Sequence, residues 1–259
     1  MNELISALII AVVQGFTEWL PVSSSGHLVL VERLLDYRGG LLFDVALHFG
    51  TLASVFVYFG GDIVDIIKDL LNRKWDSENG RLGLLIIAAT IPAVIVGFLL
   101  RNVFEFAFGS LGLTALGFGI TGLFLIIASL DFTAWRGSFG FVKSLLVGAA
   151  QTLALFPGIS RSGATISSGL LLGLDEKNAM KFSFLMSVPI VFGANILVVG
   201  NNTLPKELIW ATLVSFVVGL LVLHLLYRWV LVNRKNLRWF GAYALLLGLV
   251  IGGYLVLVK

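Results

Sequence analysis

Gln14-Gly-Phe-Thr-Glu18-Trp-Leu-Pro21-Val-Ser23-Ser24-Ser25-Gly26-His27 interrupts an apolar run that extends over about residues 2 to 36. A second run, over about residues 141 to 174, is cut in the same way by Pro157-Gly-Ile-Ser160-Arg161-Ser162-Gly163-Ala-Thr165. Each arm has about 10 to 14 residues, which at 1.5 Å per residue reaches only part of the way through a hydrocarbon core of about 30 Å. The reading that follows is a helix that enters, breaks and returns on the same side. Broken backbone survives at that depth only when it is buried in protein or lines a wet cavity.

The rest of the chain agrees with a lipid solvent. Of 259 residues, 58% are hydrophobic and 13% charged, and the mean hydropathy is +0.98, which excludes an ordinary soluble domain. There is no cysteine, so disulfides, thiolate metal sites and cysteine nucleophiles are excluded. The net charge of +3 comes from cations scattered between apolar runs, which points away from a nucleic-acid partner and leaves loops to meet anionic lipid. Met1-Asn2-Glu3 lacks the cationic start of a secretory signal, so the first apolar run is expected to belong to the mature protein. Six further stretches, at about 41–60, 82–100, 110–130, 182–200, 208–230 and 240–258, are long and apolar enough to cross. The expected fold is all-α: a single polytopic membrane domain over 1–259, with six transmembrane helices and two re-entrant helical hairpins.

With the loop 61–81 in the cytoplasm, Lys68, Arg73, Lys74, Arg81, Arg136, Lys143, Lys177, Lys181, Arg228, Arg234, Lys235 and Arg238 all fall inside. Arg33, Arg38, Arg101, Lys206 and Lys259 fall outside, so twelve stand against five and both termini face outward. The first hairpin then enters from outside and the second from the cytoplasm. A shift of 137 residues superimposes the two breaks without a gap, placing Gln14 on Gln151, Ser23 on Ser160, Ser25 on Ser162 and Gly26 on Gly163. Two copies of opposite orientation, about 1–130 and 131–259, make an inverted-topology repeat, which would bring both breaks to one composite site near the midplane. Residues 62 to 72 carry Asp62, Asp65, Lys68, Asp69 and Asn72 on one stripe, as an interfacial helix with a solvated face does. Gly169 with Gly173 and Gly248 with Gly252 have the spacing that packs helices within or between subunits, so a homodimer is one expectation.

Gln14 and Glu18 are four apart and share a helix face, while Pro21 ends that helix and hands the chain to the serines. Ser24 or Ser25 is expected to cap the next helix, and the same argument applies at Ser160 to Ser162, so two helix N-termini would face one anion. Glu18 and Arg161 are costly at this depth, about 2.5 to 3.5 kcal/mol each, and therefore have a partner or a task. The bland alternative is a mutual ion pair that pins the hairpins together. His27 offers acid–base work, or a structural hydrogen bond. Asp44, His48 and Asn195 are expected to serve as hydrogen-bonding residues that line the cavity.

Phosphoryl transfer needs a cationic clamp, donors for equatorial oxygens, a nucleophile with a base, and usually a divalent ion. Arg161 offers a planar fork, the serines and helix ends add donors, Ser24 can attack, and Glu18 or His27 can accept its proton. Glu18 could instead hold Mg²⁺ or Ca²⁺, with Gln14, serine oxygens, water and substrate phosphate completing the oxygen ligands. Three scattered histidines and no cysteine argue against zinc.

The run from Gln14 through Glu18 to Pro-Val-Ser-Ser-Ser-Gly-His27, followed by Pro157-Gly-Ile-Ser-Arg161-Ser-Gly-Ala-Thr165, resembles the two signature motifs of the undecaprenyl-diphosphate phosphatases, the bacitracin resistance proteins. Chain length, motif separation and the segment Phe182-Ser-Phe-Leu-Met-Ser-Val-Pro189 resemble that family too. The resemblance implies hydrolysis of a polyprenyl diphosphate lipid to the monophosphate and phosphate, recycling a lipid carrier. It also implies metal dependence, an interdigitated inverted repeat, and a site opening outward from the cell membrane. By motif position it implies Ser24 as nucleophile, His27 as an essential acid or base, Arg161 as phosphate clamp, and Glu18 in an acidic pair whose other member is here Gln14. Gln14, Ser23, Ser25, Ser160, Ser162 and Thr165 are expected to bind substrate, and Glu18 the metal. A phosphohistidine at His27, with Ser24 only binding phosphate, is the other route.

A transporter or flippase of a phosphorylated lipid is the competing function, because broken helices around a midplane anion site are also a transporter pattern. A purely structural membrane subunit would leave Arg161 and the paired breaks as an unexplained cost.

Overall fold

The computed structural model describes residues 2–37, 39–130, 137–199, 206–230 and 233–258, with backbone alone at 194–199, 206–207 and 229–230. Among the described residues the regular structure is all helical, with no strands. In chain order the helices are α1 (Glu3–Thr17), α2 (Ser24–Leu35), α3 (Gly40–Tyr58), α4 (Gly60–Leu71), α5 (Glu78–Leu99), α6 (Arg101–Phe108), α7 (Leu111–Ser129), α8 (Phe141–Leu153), α9 (Arg161–Leu171), α10 (Glu176–Val199), α11 (Lys206–Leu225) and α12 (Leu237–Leu257). The protein is a polytopic membrane protein. Both interrupted runs form short-armed hairpins, α1–α2 broken at residues 18–23 and α8–α9 broken at 154–160.

Five helical segments among the described residues are long and apolar enough to cross a bilayer: Gly40–Tyr58, Glu78–Leu99, Leu111–Ser129, Leu208–Arg228 and Arg234–Leu257. They match five of the six expected crossings. The sixth, at about 182–200, lies within α10; the side chain of Asn195 is outside the described residues.

The hairpins interlock with the long helices of the other part of the chain. The first arm of one, α1, packs along α11, and the first arm of the other, α8, packs along α5. Small residues permit these approaches: a Cβ at Gly15 would stand 2.9 Å from Ser215 O, and one at Gly148 would stand 2.9 Å from Ala89 C. The largest hydrophobic cluster runs beneath the breaks, with Trp19, Phe184, Leu125 and Val147 fully buried.

The two breaks touch backbone to backbone. A Cβ at Gly26 would stand 2.6 Å from Phe118 Cζ and 2.9 Å from Gly158 Cα. Ser162 Oγ donates to Leu20 O at 3.1 Å, and Thr121 Oγ1 of α7 both donates to Gly158 O and accepts from Ser160 N, each at 2.8 Å. Gly158 has φ +85°, and any Cβ there would meet Thr114 O and Phe118 N. Gly158→Ala combines left-handed strain with a backbone clash, so a loss of about 2–5 kcal/mol is expected, read as a lowered melting temperature in detergent.

Two expectations change in detail. Asp62 is not simply solvated, because its Oδ1 pairs with Lys181 Nζ at 2.6 Å and ties α4 to α10. Gly248 packs inside the chain, where a Cβ would come within 2.7 Å of Ala115 O on α7, and Gly169 lies against Leu174 and Ala179. The glycines at these two positions therefore serve contacts within one chain.

Candidate active site

Local chemistry gives the two breaks the same cap. Ser23 Oγ accepts from Gly26 N at 3.3 Å, and Ser160 Oγ accepts from Gly163 N at 3.0 Å. Hydroxyl pairs repeat as well, Ser23 with Ser25 at 3.3 Å and Ser160 with Ser162 at 3.2 Å. The cap of α2 is thus Ser23, one or two residues before the expected Ser24 or Ser25. The physical reason is the conformation of Ser23, φ +69°, which turns the chain sharply and places Ser24 in the first helical turn. Ser24 is freed from capping.

Its hydroxyl instead donates to Glu18 Oε2 at 2.6 Å. Glu18 ends α1 and is surrounded by donors: Gln14 Nε2 at 3.0 Å on Oε2, and Arg161 Nη2 at 2.8 Å on Oε1. The ion pair between the hairpins that the sequence offered as the bland alternative is therefore present, with 6% of the Glu18 side chain and 16% of the Arg161 side chain exposed. Arg161 is braced further by Ser183 O at 3.4 Å and by the Trp19 ring, 5.4 Å from its guanidinium carbon. Trp19 is itself fixed by a hydrogen bond from Nε1 to Ser54 Oγ at 3.1 Å. Across from these groups, His48 of α3 brings Nε2 to 3.5 Å from Glu18 Oε2, an ion pair when the ring is protonated. His48 Nδ1–H donates to Asp44 O at 2.7 Å, one turn back on the same helix.

These groups surround a cavity of about 150 Å³, several water volumes. Glu18, Ser23, Ser24, Ser25, Ser160 and Arg161 line it, together with His48 and Gln151. Ala93 of α5, Ile190 and Val191 of α10, and Ala154, Leu155 and Ile159 of the second break supply its apolar lining. Pro92 and Pro189 lie inside α5 and α10, next in sequence to Ala93 and Ile190, each removing a helical N–H.

The sequence from residue 7 to 250 matches the family described as bacitracin resistance protein BacA. The chain belongs to this family. Curated relatives agree over nearly full length. A protein of Rubrobacter xylanophilus named undecaprenyl-diphosphatase is 39% identical, covering 99% of this chain and 100% of the relative. Proteins of the same name from the archaea Korarchaeum cryptofilum and Methanosphaera stadtmanae are each 37% identical, covering 96% of this chain and 98% and 97% of theirs.

Of the BacA-family motif residues, Glu18, Ser24 and Arg161 are joined directly, and Gln14 braces Glu18 from behind. Ser162 and Thr165 do not line the cavity: Ser162 ties the two breaks, while Thr165 Oγ1 donates to Arg161 O at 2.8 Å and lies 2.6 Å from Ser183 Oγ. His27 is also set back. Its Nδ1–H donates to Ser23 O at 2.7 Å, and in the neutral ring Nε2 accepts from Tyr243 Oη at 2.7 Å, with Tyr243 stacked on it and Phe118 edge-on. The imidazole that reaches the carboxylate is that of His48. The sequence carried a signal for it, since Asp44 and His48 are two polar residues four apart in a crossing helix, but only packing of α3 against the hairpins brings His48 to Glu18.

Proposed function

We propose that the protein hydrolyses a polyprenyl diphosphate, undecaprenyl diphosphate being the member that the relatives' name indicates, to the lipid monophosphate and inorganic phosphate. The carrying observation is the chain Ser24–Glu18–Arg161, a hydroxyl hydrogen-bonded to a carboxylate that is paired with a guanidinium, in a cavity lined by both polar and apolar side chains. A lipid diphosphate has the same mixed character. The headgroup would meet Arg161 and the N-terminal amides of α2 and α9, while the first isoprene units would lie along Ala93, Ile190 and Val191.

In this reading Ser24 Oγ attacks the terminal phosphorus as its proton passes to Glu18, the bond to the lipid monophosphate breaks, and Glu18 hands that proton to the departing monophosphate oxygen, which leaves the carboxylate free for the next step. Arg161, already held by Glu18 on one nitrogen, presents the rest of its fork to the phosphoryl oxygens. Water then cleaves the phosphoserine. His27 acts through Ser23: by holding the Ser23 carbonyl it fixes the sharp turn that aims Ser24 at Glu18. A phosphohistidine route would require Nε2 to give up its hydrogen bond with Tyr243 Oη. The donor set suits a hard cation, because Gln14 Oε1 is buried without a partner beside the Glu18 carboxylate and the Ser24 hydroxyl. Mg²⁺ or Ca²⁺ held there with phosphate oxygens would supply charge neutralisation at the transferred phosphoryl group.

The halves, about 1–130 and 131–259, form an inverted repeat in one membrane domain. The repeated caps and the reciprocal packing of α1 on α11 and α8 on α5 support that reading. Charge distribution supports a cell-membrane location with both termini and the cavity mouth on the outer face. A carrier of phosphorylated lipid would need the anion site but no hydroxyl aimed at a base.

The test is orthophosphate release by the purified protein from farnesyl and C55 diphosphates, with Mg²⁺, Ca²⁺ or chelator. Release from both diphosphates, lost with chelator and in Arg161→Ala, is the expected result. No hydrolysis under any condition would overturn the assignment in favour of transport.

A further inference from the structure

Gln151 stands in the last turn of α8, 2% exposed, and lines the cavity. Among the described residues neither its Nε2 nor its Oε1 has a hydrogen-bond partner. A buried polar group left unpaired costs about 1–3 kcal/mol, and this side chain leaves two. A position this expensive calls for an occupant that the cavity receives.

The 137-residue shift explains how the amide came to be free. Gln14, its counterpart, donates to Glu18. The residue matching Glu18 in the second break is Leu155, which also lines the cavity, so Gln151 has no carboxylate to brace. The residue matching Ser24 is Arg161. One break thus supplies nucleophile and base, and the other supplies the clamp and an unengaged amide.

The chemistry of an amide narrows what it holds. It presents donors and an acceptor side by side. An ionised phosphoryl group offers acceptors alone, which would satisfy Nε2 and leave Oε1 facing negative oxygen. A water beside a phosphoryl oxygen satisfies both ends. That pair of groups occurs in the second half of the reaction, when water attacks the phosphoserine. Glu18 can then take one water proton at the oxygen that Ser24 has vacated, but the second hydrogen needs another acceptor if a lone pair is to face phosphorus.

We propose that Gln151 holds the hydrolytic water, its Oε1 accepting one water hydrogen while Nε2 donates to an oxygen of the phosphoryl group under attack. The inference rests on the phosphoserine route above. The water oxygen bonds to phosphorus as the bond to Ser24 Oγ breaks. One water proton passes through Glu18 to Ser24 Oγ, and the other stays on the departing orthophosphate. A glutamine that orients attacking water is a known solution in phosphoryl transfer.

The experiment is rapid-quench kinetics with farnesyl diphosphate labelled in its terminal phosphate, Mg²⁺ present, on wild type, Gln151→Leu and Ser24→Ala. In Gln151→Leu, orthophosphate release is expected to slow about 100-fold, while first-turnover release of farnesyl monophosphate stays within about threefold of wild type. One labelled phosphate per chain should accumulate on Ser24. Equal orthophosphate rates in Gln151→Leu and wild type overturn the proposal, as does a parallel slowing of both products with no label retained. Turnover by Ser24→Ala would sink the phosphoserine route itself and the inference with it, whatever Gln151→Leu does. Replacing an unpaired amide by an apolar side chain of similar size should leave the melting temperature unchanged or raised. If the leucine protein does not fold, Gln151→Asn carries the same readout.

Discussion

Ser24→Ala should release orthophosphate from a polyprenyl diphosphate at least about 10⁴-fold more slowly than wild type, while still binding the lipid. The expectation comes from the 2.6 Å hydrogen bond that the Ser24 hydroxyl gives to Glu18, which in the proposed mechanism joins the nucleophile to its proton acceptor. Ser23 and Ser25 also line the cavity but make no such bond. Ser25→Ala should therefore lose far less. Single-turnover assays on the two serine variants test this directly. Equal losses in Ser24→Ala and Ser25→Ala would mean that the hydroxyls act as interchangeable phosphate donors and that no serine is phosphorylated. Residual turnover in Ser24→Ala with none in His27→Ala would revive the phosphohistidine route.

Glu18→Gln should lower kcat about 10³-fold and also destabilise the protein, because it removes the base and leaves the Arg161 guanidinium unpaired in a site where 16% of its side chain is exposed. Arg161→Leu does the converse, stranding a carboxylate whose side chain is 6% exposed. Breaking a buried pair from one side costs about 3–5 kcal/mol, whereas replacing both partners by neutral groups is often near neutral. The double variant Glu18→Gln/Arg161→Leu should therefore recover much of the lost melting temperature and none of the activity. That combination separates the chemical task of the pair from its role in pinning the hairpins. A double variant as unstable as either single one would mean that the remaining contacts, through Gln14, Ser24 and His48, carry the stability.

Much of this site was legible in the sequence because ionisable and turn-forming residues inside apolar runs leave so few physical explanations. Glu18 and Arg161 announced a pair, Pro21 and the serines announced a break, and the 137-residue shift brought the two breaks together. What could not be read were the features decided by backbone torsion and by packing between distant helices. Three adjacent serines do not say which one adopts a positive φ, so the cap of α2 was expected one or two residues late. His48 and Asp44 share a helix face in any reading, yet the approach of His48 to Glu18 depends on how α3 lies against α1. His27 is three residues after Ser24 in the sequence but faces Tyr243, 216 residues away. Gln151 was matched to Gln14, but the match alone conceals that one amide is engaged and the other is free.

The contact of Gly26 with Phe118 and Gly158 has a consequence for how such a chain changes over time. Positions from both breaks share one small volume, so bulk gained at one must be given up at another before the crossing can close. Drift in either segment is thereby tethered to the other. The two segments can differ in what they carry, carboxylate and hydroxyl in one, guanidinium in the other, but not in the girth of the backbone where they cross.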